Sequence, residues 1–198
     1  MKTLLYIKAN PKPDNVSRTF KISEKFIEAY KKNNPEDKII TLDLYKENVS
    51  FLTSAQITGH NSGPDENDIM IKHAKQFASA DKFVFAAPLW NLGLPAIVKA
   101  YMDYVTVKGI TFKYTEKGAA GLLAGKKAVF ITARGGFYSD PPMSEFETGN
   151  RYLKTILGFL GISDYTLITA EGLDVIGQDI EKIINEASGK AIKLAENF

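Results

Sequence analysis

Cysteine is absent from the 198-residue chain. That removes disulfides, thiolate nucleophiles and thiolate-held metals at one stroke. Histidine is nearly absent: His60 and His73 are the only two. Neither stands in a metal-binding spacing such as H-E-x-x-H, so no metal site is expected. No run of about 18 apolar residues occurs, which excludes a membrane-spanning helix. The opening M-K-T-L-L-Y-I-K has only five uncharged residues between its lysines, too few for the apolar core of a signal peptide. A cytoplasmic location is the expectation. Charge of one sign is also lacking. The net charge is +2 and no Lys/Arg run exceeds two residues, so neither nucleic acid nor a membrane surface is indicated as a partner. Three motifs are missing as well. Without G-x-x-x-x-G-K-[ST] there is no nucleotide-hydrolysing P-loop, and without G-x-G-x-x-G no resident dinucleotide site. Without G-x-S-x-G a Ser-His-Asp hydrolase of the α/β type is not indicated.

What is present is the composition of a water-soluble domain, 44% hydrophobic and 24% charged. Five short apolar runs suit strands buried on both faces: 3–7, 39–44, 83–87, 128–133 and 165–170. Helical periodicity marks 18–31, 96–107, 150–160 and 178–194, and more weakly 67–79. Strands alternating with helices imply right-handed crossovers and a parallel sheet covered on both sides. The expected fold is α/β: a flavodoxin-like, doubly wound, five-stranded parallel sheet of order 2-1-3-4-5. One domain is expected over residues 1–198, with 106–125 as an ordered excursion before the fourth strand.

In such a sheet ligands bind beyond the carboxyl ends of the strands, where the strand order reverses. The loops after strands 1, 3 and 4 therefore carry the candidate site. The first reads K-A-N-P-K-P-D-N-V-S-R-T from Lys8 to Thr19. Ser17 or Thr19 can cap the helix that follows; the same hydroxyls, with free N–H groups and Arg18, also suit a phosphate. The second, A-P-L-W-N-L-G-L-P at 87–95, holds the only Trp. Pro88 ends the strand, Pro95 fits a first helical turn, and Leu89, Trp90, Asn91 and Leu92 combine apolar surface with peptide groups. That combination suits a flat heteroaromatic ring, although a Trp packing two helices together reads equally from the residues. The third, T-A-R-G-G-F at 132–137, lets the backbone approach a ligand closely or simply makes a turn. His60 and His73 read as surface residues without a role.

Together these stretches resemble the bacterial FMN-dependent NADH-azoreductases (NADH:quinone oxidoreductases). The resemblance runs nearly end to end, through S-R-T at 17–19, A-P-L-W-N-L at 87–92 and F-K-Y-T-E-K-G at 112–118. It continues in G-L-L-A-G-K-K-A at 121–128, T-A-R-G-G at 132–136 and L-G-F-L-G-I at 157–162. It implies that Ser17, Arg18 and Thr19 hold an FMN phosphate with Asn10 beside it. Pro88, Leu89, Trp90, Asn91 and Leu92 would run along the isoalloxazine, with Ala133, Arg134, Gly135 and Gly136 at its other edge. Asn10 and Ala133 stand where the family usually carries Ser. Tyr114 and Phe159 are implied for the substrate pocket, and a homodimer with flavin sites at its interface is implied for the assembly. The implied activity passes two electrons from NADH or NADPH through the flavin to quinones or azo compounds in a ping-pong cycle. FAD is a second possible cofactor, since its first phosphate would meet the same Ser17–Arg18–Thr19 loop. No protein acid or base is implied, because the flavin carries the redox chemistry. The competing reading is a flavodoxin-type electron carrier; carriers of that type are strongly acidic, which this chain is not.

Overall fold

The computed structural model describes residues 1–57 and 67–198. Strands β1 (Thr3–Lys8), β2 (Lys38–Asp43), β3 (Lys82–Ala86), β6 (Lys127–Ala133) and β7 (Asp164–Ala170) form one parallel sheet of order β2-β1-β3-β6-β7. This is the expected 2-1-3-4-5 order. Strands β4 (Phe112–Thr115) and β5 (Gly118–Gly121) form a separate antiparallel hairpin that shifts the numbering. The expected 106–125 excursion is this hairpin and its flanks.

Alternation along the strands divides the interior into two cores. Leu5 and Ile7 of β1 face a layer made by α2 (Ile69–Ser79), α3 (Ala96–Val105) and α4 (Gly149–Phe159). Leu4 and Tyr6 face α1 (Arg18–Asn33) and α5 (Ile180–Ala195). Every central strand is therefore apolar on both sides, which is why its sequence reads as a continuous run rather than an alternation. The crossovers bring the carboxyl ends of β1, β3 and β6 side by side, with the expected loops leaving from each.

The hairpin is fixed to the end of α4 by a close approach. A side chain at Gly121 would run into the Leu160 backbone, and Leu123 N donates to Leu160 O at 2.9 Å. Glycine is required there because the two main chains touch.

One expectation fails in this layer. His73 is not a surface residue but 5% exposed, packed on α2 against the Tyr101 ring at 5.7 Å and the Tyr104 ring at 6.2 Å. Its place on the helix puts it on the apolar face with Met70, Ile71, Ala74 and Phe77, and a lone His gives no sequence signal of which face it takes. His60 lies outside the described residues. Burial holds the His73 imidazole below its ordinary value, with the nearby Glu47 carboxylate and a hydrogen bond to Gln76 opposing only in part. The folded pKa is thus depressed below the unfolded value of about 6.5. Stability is full above that value and falls as protons bind the unfolded chain below it. Denaturation of the wild-type protein at about pH 7.5 and about pH 5.5 should show a loss that His73→Phe reduces, above the range where carboxylates titrate. An identical loss in both proteins would refute this account.

Candidate functional site

The loop after β1 is braced before it reaches α1. Asn10 Nδ2 donates to Ser17 Oγ at 2.9 Å, and Asn10 Oδ1 accepts from Lys12 N at 3.0 Å. Ser17 Oγ also accepts from Phe20 N at 3.2 Å, so Ser17 is the N-cap of α1. Beneath the loop the buried Lys8 ammonium meets Asp14 at 2.7 Å and Glu24 at 3.1 Å, over the Phe20 ring. Thr19, in the first turn, is 1% exposed, and its Oγ1 has no partner among the described residues. A buried hydroxyl left alone costs about 1–3 kcal/mol. This one stands at a helix N-terminus, where the first-turn N–H groups also lack intrahelical acceptors. Ser17 takes the capping role, so the cap does not use up the loop's second hydroxyl, that of Thr19.

The loop after β3 is held in a strained shape. Trp90 and Gly93 exchange hydrogen bonds at 2.9 and 3.0 Å, and Asn91 and Leu92 between them have φ of 49° and 67°. A tight turn with positive φ at both central positions is natural for Asn, but costs about 1–2 kcal/mol for Leu. The turn is pinned from outside: Leu92 O accepts from both Thr148 N at 2.8 Å and Thr148 Oγ1 at 2.7 Å. Thr148, at the start of α4, was not foreseen from the sequence. Nothing about a Thr before a helix announces a bond to a loop 56 residues away.

The loop after β6 contributes main chain, and its arginine turns inward. Arg134 is 2% exposed. Its guanidinium lies 3.0 Å from Glu171 and 3.5 Å from Glu147, so the side chain braces two carboxylates while the residue still lines the cleft. Glu171 also accepts from Tyr138 N at 3.0 Å, and Glu147 from Asn150 N at 2.8 Å. Burial and the neighbouring Glu147 raise the Tyr165 hydroxyl well above its ordinary value; it stays a neutral donor to Asn150 Oδ1 at 2.8 Å. The carbonyls of Gly135 and Gly136 are taken by Asp174 N and Gly172 N.

These loops enclose a cleft of about 350 Å³. Of the expected residues, Asn10, Arg18 and Thr19 line one end, Pro88, Leu89 and Trp90 one wall, and Ala133, Arg134 and Gly135 the other. Trp90 is 38% exposed, which removes it from the core. Ser17 lies buried behind the wall as the cap, and Asn91, Leu92 and Gly136 lie beyond the lining. Lys12, Val16, Leu173 and Asp174 line the cleft without having been foreseen. Tyr114 and Phe159 are not part of it. Both are exposed and pack on the buried Phe112 ring, at 5.5 and 5.1 Å.

Residues 2–194 match the family described as having a flavodoxin-like fold. The chain is 58% identical over 201 residues to the FMN-dependent NADH:quinone oxidoreductase of Caldicellulosiruptor saccharolyticus, covering all of both chains. It belongs to the family of FMN-dependent NADH:quinone oxidoreductases. A second such protein, from Clostridium acetobutylicum, is 58% identical over 200 residues, again with both chains fully covered. Among solved structures, an azoreductase from Bacillus anthracis superposes with a TM-score of 0.93 at 36% identity over all of both chains. A B. anthracis FMN-dependent NADH-azoreductase in complex with FMN gives 0.90 at 31% identity, covering 98% of each.

Arg134 in T-A-R-G-G is thus a brace between two loops. Arg134→Ala should lower unfolding free energy by about 3 kcal/mol in urea denaturation, because two carboxylates lose their buried counter-charge. Arg134→Lys should recover little, since one ammonium does not span both. A wild-type midpoint in either variant would sink the assignment.

Proposed function

We propose that the chain is an FMN-dependent oxidoreductase that takes two electrons from NADH, or NADPH, and passes them to quinones and azo compounds. One flavin-binding domain over residues 1–198 suffices for this, placed in the cytoplasm. The observation that carries the reading is the buried, partnerless Thr19 hydroxyl inside the cleft at the N-terminus of α1. A phosphate oxygen there satisfies the hydroxyl, the first-turn N–H groups and the helix dipole together. The full-length relatives support FMN as the group that brings the phosphate.

Each residue then has a task. Thr19 and the α1 N-terminus receive the phosphate, with Arg18 and Lys12 supplying positive charge at the cleft's end. Ser17 and Asn10 keep that loop closed. Leu89 and Trp90 offer an apolar wall to the ring system, and the Ala133–Gly136 main chain borders its far edge. With the Gly135 and Gly136 carbonyls engaged, their N–H groups are the donors left for a ring carbonyl or a developing negative charge. The strained turn at Asn91–Leu92, pinned by Thr148, sets the height of the Trp90 wall. Bound FMN supplies the hydride-accepting and hydride-donating chemistry.

The exposed rings of Tyr114 and Phe159, both packed on the buried Phe112, fit the second part of the reading. Tyr114 is 65% exposed and Phe159 40%, unusual for adjacent large apolar groups on a monomer. A homodimer that covers this cluster would place it beside a flavin and make it a wall of the acceptor pocket.

Purified protein should bind FMN with a change in Trp90 fluorescence and oxidise NADH with an added quinone and no other protein. Initial rates at varied NADH and quinone should give parallel lines. Intersecting lines would overturn the alternating scheme, and dependence on a partner protein would favour the electron-carrier reading. Arg18→Ala should weaken FMN binding about tenfold, the value of one charge-assisted contact; unchanged affinity would remove Arg18 from the phosphate site.

A further inference from the structure

A carboxylate stands at the end of the cleft that an anion should occupy. Asp174, from the loop after β7, lines the cleft beside Arg18, and its Oδ1 lies 2.7 Å from Arg18 Nη1. Its main chain is fixed, while among the described residues its carboxylate is held only by Arg18 and stays 71% accessible. Asp174 N donates to Gly135 O at 2.9 Å, and Asp174 Oδ2 lies 2.5 Å from where a Cβ on Gly135 would be. Any residue but glycine at 135 would have to displace the carboxylate. The loop after β7 therefore places a negative charge against Arg18, in the cleft that Lys12 and Thr19 also line.

We propose that Asp174 is a specificity-determining residue that weakens the hold on the cofactor's phosphate, setting how strongly the site prefers a phosphorylated flavin to an unphosphorylated one. The inference rests on the flavin reading above. The sign follows from charge. With Asp174 ionised, the cleft end carries Lys12 and Arg18 against one carboxylate; without it, the same end gains one unit of positive charge facing a phosphate that is close to a dianion near neutral pH. The pair with Arg18 is solvent-exposed, with side chains 41% and 71% accessible, so the loss of its orienting effect is small. The change in attraction for a dianion bound in the same cleft is larger, even in water and with salt screening. Riboflavin has the same ring system and no phosphate, so its affinity should not sense the change.

The test measures dissociation constants of the full chain for FMN and for riboflavin by flavin fluorescence, in wild type, Asp174→Asn and Asp174→Glu, at low and moderate salt. Asp174→Asn should tighten FMN about fivefold at low salt, less at higher salt, with riboflavin unchanged. Asp174→Glu, which keeps the charge, should restore the wild-type ratio of the two constants. An unchanged ratio in Asp174→Asn, or a weaker hold on FMN, overturns the proposal while leaving the flavin reading intact. A parallel gain for riboflavin also overturns it, because the effect would then be on the ring and not the phosphate. Wild-type protein that binds neither flavin would defeat the flavin reading itself, and this inference with it.

Discussion

A buried guanidinium between two carboxylates ties the candidate site together. Arg134 leaves the end of β6 and meets Glu147 before α4 and Glu171 after β7. A charge 2% exposed is tolerated only when its partners are held in place, so the three segments that meet there constrain one another. From Glu147 the constraint passes one residue along the chain to Thr148, which holds the Leu92 carbonyl by both its N–H and its hydroxyl. The two loops that wall the cleft are thereby fixed to the same point, the start of α4. The Leu92 conformation, unfavourable by itself, persists because that anchor over-determines it.

The same arrangement explains why the site's chemistry is carried by main chain and apolar surface. Its one buried arginine is committed to structure, and its serine is committed to capping. What remains for a ligand is a free hydroxyl, helix N–H groups, glycine peptides, an indole and the charges of Lys12, Arg18 and Asp174 at one end. These groups suit a phosphate and a flat ring, and on the proposed reading none of them need act as a general acid or base. A redox cofactor that brings its own reactivity is the natural occupant of a cleft so equipped.

Most of the fold could be read from the chain because each central strand is buried on both faces and each helix shows one apolar stripe. The five strands lie within one residue of their expected starts and ends, and the hairpin accounts for the one segment that broke the alternation. The site was legible where local rules apply: loops after β1, β3 and β6, with prolines, glycines and a hydroxyl at a helix start. It was illegible where contacts span distant segments. Arg134 reads as a ligand in T-A-R-G-G until Glu147 and Glu171 are seen beside it. Thr148 and Asp174 lie 56 and 156 residues from the partners they meet, and no local pattern links them. His73 went to the wrong side of its helix for a related reason: one polar residue on a weak amphipathic stripe does not reveal whether the stripe buries it.

The absence of a dinucleotide fingerprint takes on meaning in this geometry. The cleft has one end shaped for a phosphate and one apolar wall, formed by Leu89 and Trp90. A nicotinamide donor has no loop of its own to grip its pyrophosphate, so its purchase must come from the exposed ring face beside that wall. A quinone or azo acceptor is flat and apolar and needs the same face. Two substrates that compete for one surface cannot occupy it together, which is the physical ground for the alternating cycle proposed above. The pinned turn beneath Trp90 matters for that reason: it keeps the wall at a fixed height for two unlike partners in succession.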